Sequence, residues 1–500
     1  MKPLRMQSLL RIAIAIFFSF HVTQRAHSST WSQSASPHFS LYSENPSQPD
    51  RNILLLLERS RSLLLSLGML NPAREHPITV FAFKDAESFS RYAPPHSHGF
   101  FQRGQAADYI SLLNQRSDII LHEYAHAAIA TMWPSLPIWM NEGLAGYYST
   151  AQWGPDGVSV GGYLWDLPGA IDSLSPRLLP SILDASGSLI DADARATSQR
   201  YLLSWALVHM LLTEPAYAPN LRKFLDALSS GTSVTNALQS TYGRTLAQLQ
   251  DDLGEQLREG RLTTFRYPYN DDRDEAGILD NHSNTDEFEV EIRLADLLSY
   301  HPSAVSAARV RLEQLSAQCP KNPEVEERLA GLSWRTGDEA GVQAHMNNAY
   351  RRGSRNVELL IVDAQLLQKT GAPPSRIIPL VERALAESPH DYHAQMLLGY
   401  FAYQNKDFAR ALALLKPIED IDDPDSFVVL GSLAYSAAGA KDYSSAAAYT
   451  LVALKKTRSG ADRTAMEKLQ NWLAGRISPS TEPGGALAGL SAPGHLPTGF

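Results

Sequence analysis

The chain has 500 residues, of which 44 % are hydrophobic and 19 % charged, the composition of an ordinary globular protein. Its 31 glycines and 30 prolines exclude a collagen-like or a wholly disordered chain, and its length suggests roughly three domains. The net charge of −9, without a basic cluster, argues against nucleic acid as the main partner. A single cysteine, Cys319, excludes an intramolecular disulfide and any metal site built from several cysteines, so that His and carboxylates must hold any metal.

The N-terminus has the pattern of an export signal. Basic residues occur among the first eleven positions, an apolar run follows over residues 12–22, and Ala26-His27-Ser28 is a small-x-small cleavage site. Residues 1–28 are therefore predicted to be a signal peptide, and the protein is expected to be exported, either periplasmic or secreted. The alternative is an uncleaved signal that anchors the protein in the membrane. After cleavage no stable membrane span is expected.

Composition divides the remaining chain into five segments. Residues 29–50 are a Ser-rich N-terminal segment, and residues 51–265 alternate between strand-like and helix-like patterns, which predicts an α+β domain. An acidic linker is predicted over 266–287, followed by an all-α domain over 288–475. Residues 476–500 are rich in Pro, Gly and Ser and are expected to be a disordered tail.

Within the α+β domain the first elements follow from hydrophobic periodicity. An amphipathic helix is expected over 53–70 and a strand over 76–84, with Asp85 as N-cap of a following helix. A second strand is expected over 106–113. The next helix should be capped by Ser117 or Asp118 and ended by Pro134.

The later elements of this domain are mostly helical. A further helix should begin near Ile138, and a turn followed by a strand is expected around 153–160. After Thr197 the periodicity predicts four helices, over 199–212, 220–228, 234–242 and 246–259.

The all-α domain contains a degenerate internal repeat. Short motifs such as Leu397-Leu398-Gly399 and Val429-Leu430-Gly431 recur at intervals of 32 to 35 residues, each followed by a turn and a second position with a small residue. A helix–turn–helix period near 34 residues with these small positions resembles tetratricopeptide repeats. Stacked repeats of this kind present a concave surface that binds a substrate or a partner protein. The alternative is a generic helical bundle.

One segment carries the residues for metal chemistry. His122 and His126 lie four residues apart on a predicted helix, so both imidazoles project from one face, and Glu123 can reach a metal-bound water without being a ligand. This is the HExxH arrangement of zinc peptidases. Glu142, on the next helix, can complete a His2Glu site with a fourth position open for water. The alternative is that both histidines are ordinary polar residues of a packed helix.

The segment His122-Glu123-Tyr124-Ala125-His126, followed by Trp139-Met140-Asn141-Glu142-Gly143-Leu144-Ala145, resembles the gluzincin metallopeptidases. The second part is similar to the aminopeptidase-N group, whereas the short spacer and the export signal resemble the bacterial peptidase-MA-like family. The resemblance implies a zincin-like fold for the α+β domain. It also implies His122, His126 and Glu142 as Zn²⁺ ligands and Glu123 as general base and proton shuttle.

The same resemblance suggests one further catalytic residue. The sequence also departs from the related peptidases in two respects. Tyr201 lies where the aminopeptidase-like group has a tyrosine that stabilises an oxyanion; the alternative is that it only packs in the core. His209 is expected to be a core histidine and not a ligand. No exopeptidase signature precedes the helix, and Gly146 stands where thermolysin-like enzymes have an acidic residue.

The sequence thus predicts an exported zinc-dependent metallopeptidase followed by tetratricopeptide-like repeats, acting on a peptide or protein substrate. In this peptidase, zinc would activate a water molecule as the nucleophile, and Glu123 would act as general base. One alternative is a catalytically weak peptidase-like domain that serves a helical-repeat scaffold for protein partners. Another is a metal hydrolase that acts on substrates other than peptides.

Overall fold

The architecture is taken from a computed structural model of the chain. It describes residues 31–44, 50–95, 97–105, 107–113, 115–155, 157–164, 174–183, 189, 193–260, 262–269, 279–419, 426–457 and 459–477. The predicted signal peptide (1–28) lies outside the described residues, as does almost all of the predicted tail.

Nine strands form two sheets in the N-terminal part. They are β1 (Ser32–Ala35), β2 (Phe39–Ser43), β3 (Ile78–Ala82), β4 (Gly99–Gln102), β5 (Asp108–Leu112), β6 (Gln152–Gly154), β7 (Gly157–Val160), β8 (Phe265–Tyr267) and β9 (Leu279–Asn284). The larger sheet has the order β4-β5-β3-β2-β1-β9, and the smaller has the order β6-β7-β8. In the larger sheet β2, β3 and β5 are parallel, whereas β4, β1 and β9 pair antiparallel with their neighbours.

Nine α-helices in the described residues accompany these strands. They are α1 (Asp50–Ser66), α2 (Ala86–Ser90), α3 (Ser117–Met132), α4 (Ile138–Ser149), α5 (Leu179–Leu183), α6 (Ala194–Thr213), α7 (Leu221–Ser229), α8 (Val234–Tyr242) and α9 (Leu246–Glu259). The helices predicted after Thr197 agree with α6 to α9 within a few residues. Asp85 caps α2 as predicted, because its side chain accepts a hydrogen bond from the Ser88 N–H.

The larger sheet is buried on both faces, and its side chains alternate between two cores. Val80 and Ile110 pack with α1 and α3 on one face. Phe81 and Tyr109, the neighbouring residues, join an aromatic core on the other face with α2 and the first repeat helix. The helix that carries the HExxH motif therefore lies directly on the sheet.

Three local expectations differ from the structure. The Ser-rich segment contributes β1 and β2 to the larger sheet, and the predicted linker contributes β8 and β9. These strands are three to six residues long, too short for apolar alternation to be clear, and β1 and β9 are also rich in Ser or Asn. Ser117 and Asp118 lie inside α3, whose N-cap is Arg116 without a side-chain cap hydrogen bond. Asp118 instead pairs with Arg116 at 2.5 Å.

The C-terminal part consists of paired helices. They are α10 (Glu287–Ser299), α11 (Val305–Gln318), α12 (Pro323–Arg335), α13 (Glu339–Arg351), α14 (Val357–Lys369), α15 (Pro374–Glu387), α16 (Tyr392–Gln404), α17 (Phe408–Leu415), α18 (Ser426–Gly439), α19 (Tyr443–Lys456) and α20 (Gly460–Ile477). None of the helices in the described part of the chain combines the length and apolar character needed to cross a bilayer.

A left-handed residue marks the same turn in successive helix pairs. Gly337, Gly371, Lys406 and Lys441 all have positive φ, between 62° and 74°, and follow one another at 34 or 35 residues. The residue after each one donates its N–H to a carbonyl five positions earlier, as in Asp407 to Ala402. The repeat predicted from sequence is therefore a repeat of backbone geometry.

The first repeat helices are joined to the sheet by buried polar groups. Tyr109 on β5 donates its hydroxyl to Asp296 on α10 at 2.6 Å, and Asp296 is 2 % exposed. Arg328 on α12, 7 % exposed, lies 3.8 Å from the same carboxylate. Burial raises the pKa of Glu358 on α14 to about 7, although His76 and Arg328 act in the opposite direction. Charged residues therefore cross the junction between the two parts.

Glu358 makes the stability of this junction dependent on pH. The pKa of Glu358 rises from 4.5 to about 7 on folding, so the folded chain binds this proton more tightly than the unfolded chain. The resulting stabilisation is complete below pH 4.5 and is lost as the pH rises through 7 and the buried carboxyl ionises. We expect Glu358→Gln to raise the midpoint of thermal unfolding at pH 8, by the equivalent of about 1–3 kcal/mol. The gain should shrink towards pH 5. Glu467→Gln, at an exposed position of α20, is the control. An equal gain of Glu358→Gln at pH 8 and pH 5 would contradict the raised pKa of Glu358.

Candidate metal centre

Helices α3 and α4 build the candidate centre. The apolar residues of α3, among them Leu121 and Ala125, are buried against the sheet and α1, which leaves His122 and His126 on the face towards α4. Helix α4 packs between α3 and α6, and it contributes Glu142. The packing of the two helices thus brings together His122 and His126, one turn apart on α3, and Glu142 of α4.

The donor atoms of the three residues lie close together. His122 Nε2 is 3.1 Å from His126 Nε2 and 3.2 Å from Glu142 Oε2. His126 Nε2 is 3.5 Å from the same carboxylate oxygen. The three side chains are 11–17 % exposed, so the cluster is largely shielded from solvent. Among the described residues, this is the one group of three His, Cys, Asp or Glu side chains that could hold a metal ion.

The donor set and its spacing fit zinc. Zinc binds imidazole nitrogens and carboxylate oxygens at about 2.0–2.2 Å, so two ligands of a tetrahedral site lie about 3.3 Å apart. The three observed separations, from 3.1 to 3.5 Å, bracket that value. Two neutral imidazoles and one carboxylate are also the ligand chemistry that suits this ion.

The electrostatics of the cluster show how strongly the three groups interact. Burial opposes charge on both partners, yet the charge of Glu142 and hydrogen bonds to Glu142 and Asn141 raise the pKa of His126 to about 9. Conversely, His126 and His122 lower the pKa of the buried Glu142 far below its usual range. The carboxylate is therefore held ionised, in contact with groups that supply positive charge.

Asn141 orients one of the imidazoles. Its Oδ1 lies 3.2 Å from His126 Nδ1, and because an amide oxygen only accepts, Nδ1 carries the hydrogen. When His126 is neutral, the lone pair of Nε2 then points into the cluster, the arrangement that metal-ligating histidines need. Sequence reasoning named no support for either histidine. The only available signal was the position of Asn141 directly before Glu142.

Glu123 lies beside the cluster and under the edge strand β4. Its side chain is 8 % exposed, and burial raises its pKa, while His122 and His126 act in the opposite direction. The backbone N–H of Phe101 on β4 also acts to lower the pKa of this carboxyl. A Cβ added to Gly99 would lie 3.1 Å from Glu123 Cγ and 2.6 Å from Ile119 Cγ2, so β4 passes close to α3. Sequence analysis did not anticipate this contact.

The structure also places Tyr201 and His209, both on α6. Burial raises the pKa of Tyr201, and the charges of Glu142 and Glu123 raise it further, which puts the phenol within electrostatic range of the candidate site. His209 is fully buried, and its Nε2 lies 3.2 Å from the Gly161 carbonyl oxygen. Burial lowers the pKa of His209 to about 4. It is a core histidine, and it is not part of the metal cluster.

Gly143 allows α6 to approach the centre. A Cβ at this position would lie 2.5 Å from the Ser204 carbonyl oxygen and 2.5 Å from Val208 Cγ2. Gly146, one turn later on α4, differs, since a Cβ there would meet Trp205 at an ordinary 3.6 Å. The glycine after Glu142 is therefore needed for the crossing of the two helices that brings Tyr201 near Glu142.

The two glycines of α4 form a matched pair for mutation. Gly143→Ala should lower the free energy of unfolding by about 1–3 kcal/mol, because the backbone of α6 must move to admit the methyl group. Gly146→Ala should be neutral or stabilising by up to about 1 kcal/mol, since alanine favours the helix. Denaturant unfolding of both variants measures the difference. Equal stabilities would show that the close crossing does not depend on Gly143.

Comparisons with known proteins concern the helical part. A family model described as tetratricopeptide repeat matches residues 374–434, which span α15 to α17 and the start of α18. The structure of YrrB, described as a TPR protein with an unusual peptide-binding site, is 16 % identical, covers 36 % of this chain and 90 % of its own, and has a TM-score of 0.31. A search of curated proteins found no match. The family match and the recurring turns identify the C-terminal part as a helical repeat of tetratricopeptide type.

Proposed function

We propose that the N-terminal part of the chain is a zinc-dependent peptidase that hydrolyses peptide bonds. The observation that carries the proposal is the convergence of His122, His126 and Glu142 within 4.8 Å, with the buried Glu123 beside them. The sequence resemblance to the gluzincin metallopeptidases supports it. The family match supports the repeats, and hence the scaffold interpretation, more directly than it supports this activity.

The residues have separate roles in this proposal. His122, His126 and Glu142 would hold zinc, which acts as a Lewis acid and makes water a better nucleophile at neutral pH. Glu123 accepts a proton on its carboxylate and delivers it to the leaving nitrogen. The Phe101 N–H favours the ionised form of that carboxylate. Tyr201 would donate its phenol hydrogen to the oxygen on which negative charge develops.

The edge of the larger sheet suits an extended substrate. Strand β4 ends the sheet, and among the described residues it pairs only with β5. A free strand edge binds an extended peptide through main-chain hydrogen bonds. Because β4 also passes close to Glu123 at Gly99, a peptide bound there would pass close to the proposed base.

A second candidate function rests on the repeats. The tetratricopeptide match favours a protein-interaction scaffold in which the peptidase-like domain has little or no turnover. Both candidates include a protein partner or substrate, and both are compatible with export of the protein, which we also propose from the N-terminal sequence. They differ in whether peptide bonds are cleaved.

Metal content and cleavage of a peptide library, measured on the same protein, test the ligand and base assignments. We expect one zinc per chain and peptide cleavage in the wild type. Glu142→Ala should lose zinc affinity, because one of three ligands is removed. Glu123→Gln should retain zinc and lose at least about 100-fold in kcat, the contribution typical of a general base. Glu259→Gln, at the exposed end of α9, is the control.

The other outcomes separate the alternatives. Zinc affinity that survives Glu142→Ala would remove this residue from the ligand set. Stoichiometric zinc without cleavage of any peptide would favour the scaffold, and cleavage of simple esters alone would favour a hydrolase for other substrates.

Tyr201→Phe tests the proposed oxyanion contact. The hydroxyl is removed while the ring stays, so we expect kcat to fall about 100-fold with little change in KM or zinc content. Tyr148→Phe, a buried tyrosine of α4, serves as the matched control. An unchanged kcat in Tyr201→Phe would assign Tyr201 to packing.

A further inference from the structure

The hairpin formed by β4 and β5 contacts the proposed base at one end. A Cβ on Gly99 would lie 2.6 Å from Ile119 Cγ2 and 3.1 Å from Glu123 Cγ, so β4 lies against the part of α3 that carries Glu123. In the antiparallel register, Phe101 pairs with Ile110. Any shift of the hairpin therefore changes the position of β4 over Glu123.

The connection of this hairpin contacts the repeats. The Gln105 N–H donates to the hydroxyl of Tyr300, the residue that ends α10, at 2.8 Å. The Gln105 side chain lies against Gly331 on α12, where an added Cβ would be 2.6 Å from its Oε1. Arg335 in turn stacks over the Tyr300 ring at 3.8 Å and donates to its hydroxyl.

Two more contacts make the connection rigid. Arg103 Nη1 donates to the Ala130 carbonyl oxygen near the end of α3 at 2.9 Å. The Gly104 N–H donates to the Asp108 carboxylate at 3.0 Å, and a Cβ on Gly104 would collide with the Ala107 carbonyl oxygen at 1.8 Å. The hairpin thus contacts the repeats through Gln105 in its connection. It contacts α3 through Arg103 and, close to Glu123, through Gly99.

If the repeats only packed against the sheet, they would not need contacts with the connection between β4 and β5. The edge strand β4 is paired on one side only in the described structure, so its position depends on β5 and on the connection. The connection is fixed from the repeat side by main-chain and side-chain contacts to two different helices.

We propose that the repeats position the β4–β5 hairpin against Glu123, acting through the contact of Gln105 with Tyr300 and Gly331. Gln105 and Tyr300 are then positioning residues for the candidate site. The proposal rests on the proposed function only in giving Glu123 a role in catalysis. It assigns the first repeats a partner within the same chain, in addition to any partner protein.

Two variants of the full chain test this link. Tyr300→Phe removes the hydroxyl that accepts the Gln105 N–H and keeps the ring under Arg335. Gly331→Leu fills the space of the Gln105 side chain. Tyr443→Phe in α19 and Ala344→Leu at an exposed position of α13 are the matched controls.

Hydrogen exchange measured without substrate gives the first readout. Loss of one buried hydrogen bond should speed exchange of the β4–β5 amides, that of Phe101 included, about fivefold, with no change in the controls. The second readout is kinetic: kcat should fall about fivefold, with KM and zinc content unchanged.

The outcomes distinguish the two proposals. Unchanged exchange at Phe101 in both variants would overturn the link between the repeats and the hairpin. Faster exchange with unchanged kcat, in a protein that cleaves peptides, would overturn the positioning role and leave the proposed function intact. Without cleavage by the wild type the proposed function fails, and exchange at Phe101 alone decides whether the repeats hold the hairpin over Glu123.

Discussion

The burial of one carboxylate between two imidazoles is the constraint on which the N-terminal part depends. An ionised Glu142 away from water is costly unless positive charge or hydrogen-bond donors surround it. In the folded chain a proton on His126 can provide that charge, and a bound cation would provide it in the same place. The helices must therefore keep the donor atoms of three side chains within 3.1–3.5 Å of one another. The close crossing of α4 and α6 at Gly143 and the Asn141 contact both serve this requirement.

The sequence was most informative where the chemistry is local. His122 and His126 are one helical turn apart, and Glu142 lies on the next helix, so spacing alone predicted that the three side chains would meet, and they do. Whether they bind zinc stays a prediction. The close approach of β4 to Glu123 at Gly99 could not be predicted, because it brings an edge strand against a helix through tertiary packing.

The fold shows the same division between local and long-range signals. Helices with strong periodicity were predicted within a few residues, and the repeats, confirmed over residues 374–434, followed from recurring small residues. Short strands such as β1 and β9 carry too few apolar residues for a pattern to be visible. Lys406 and Lys441 take the left-handed conformation that elsewhere in the repeat belongs to glycine, so composition alone does not mark these turns.

The pairing of β9 with β1 has a consequence for the order in which the chain can fold during synthesis. The HExxH motif ends at His126, but the strand that completes the larger sheet beside β1 begins only at Leu279. Until that strand has been made, β1 presents backbone groups without their native partner, and such an edge is a template for pairing with other chains. A nascent chain that has already emerged through α9 therefore still needs protection from aggregation. This delay gives cellular chaperones a defined interval in which to act.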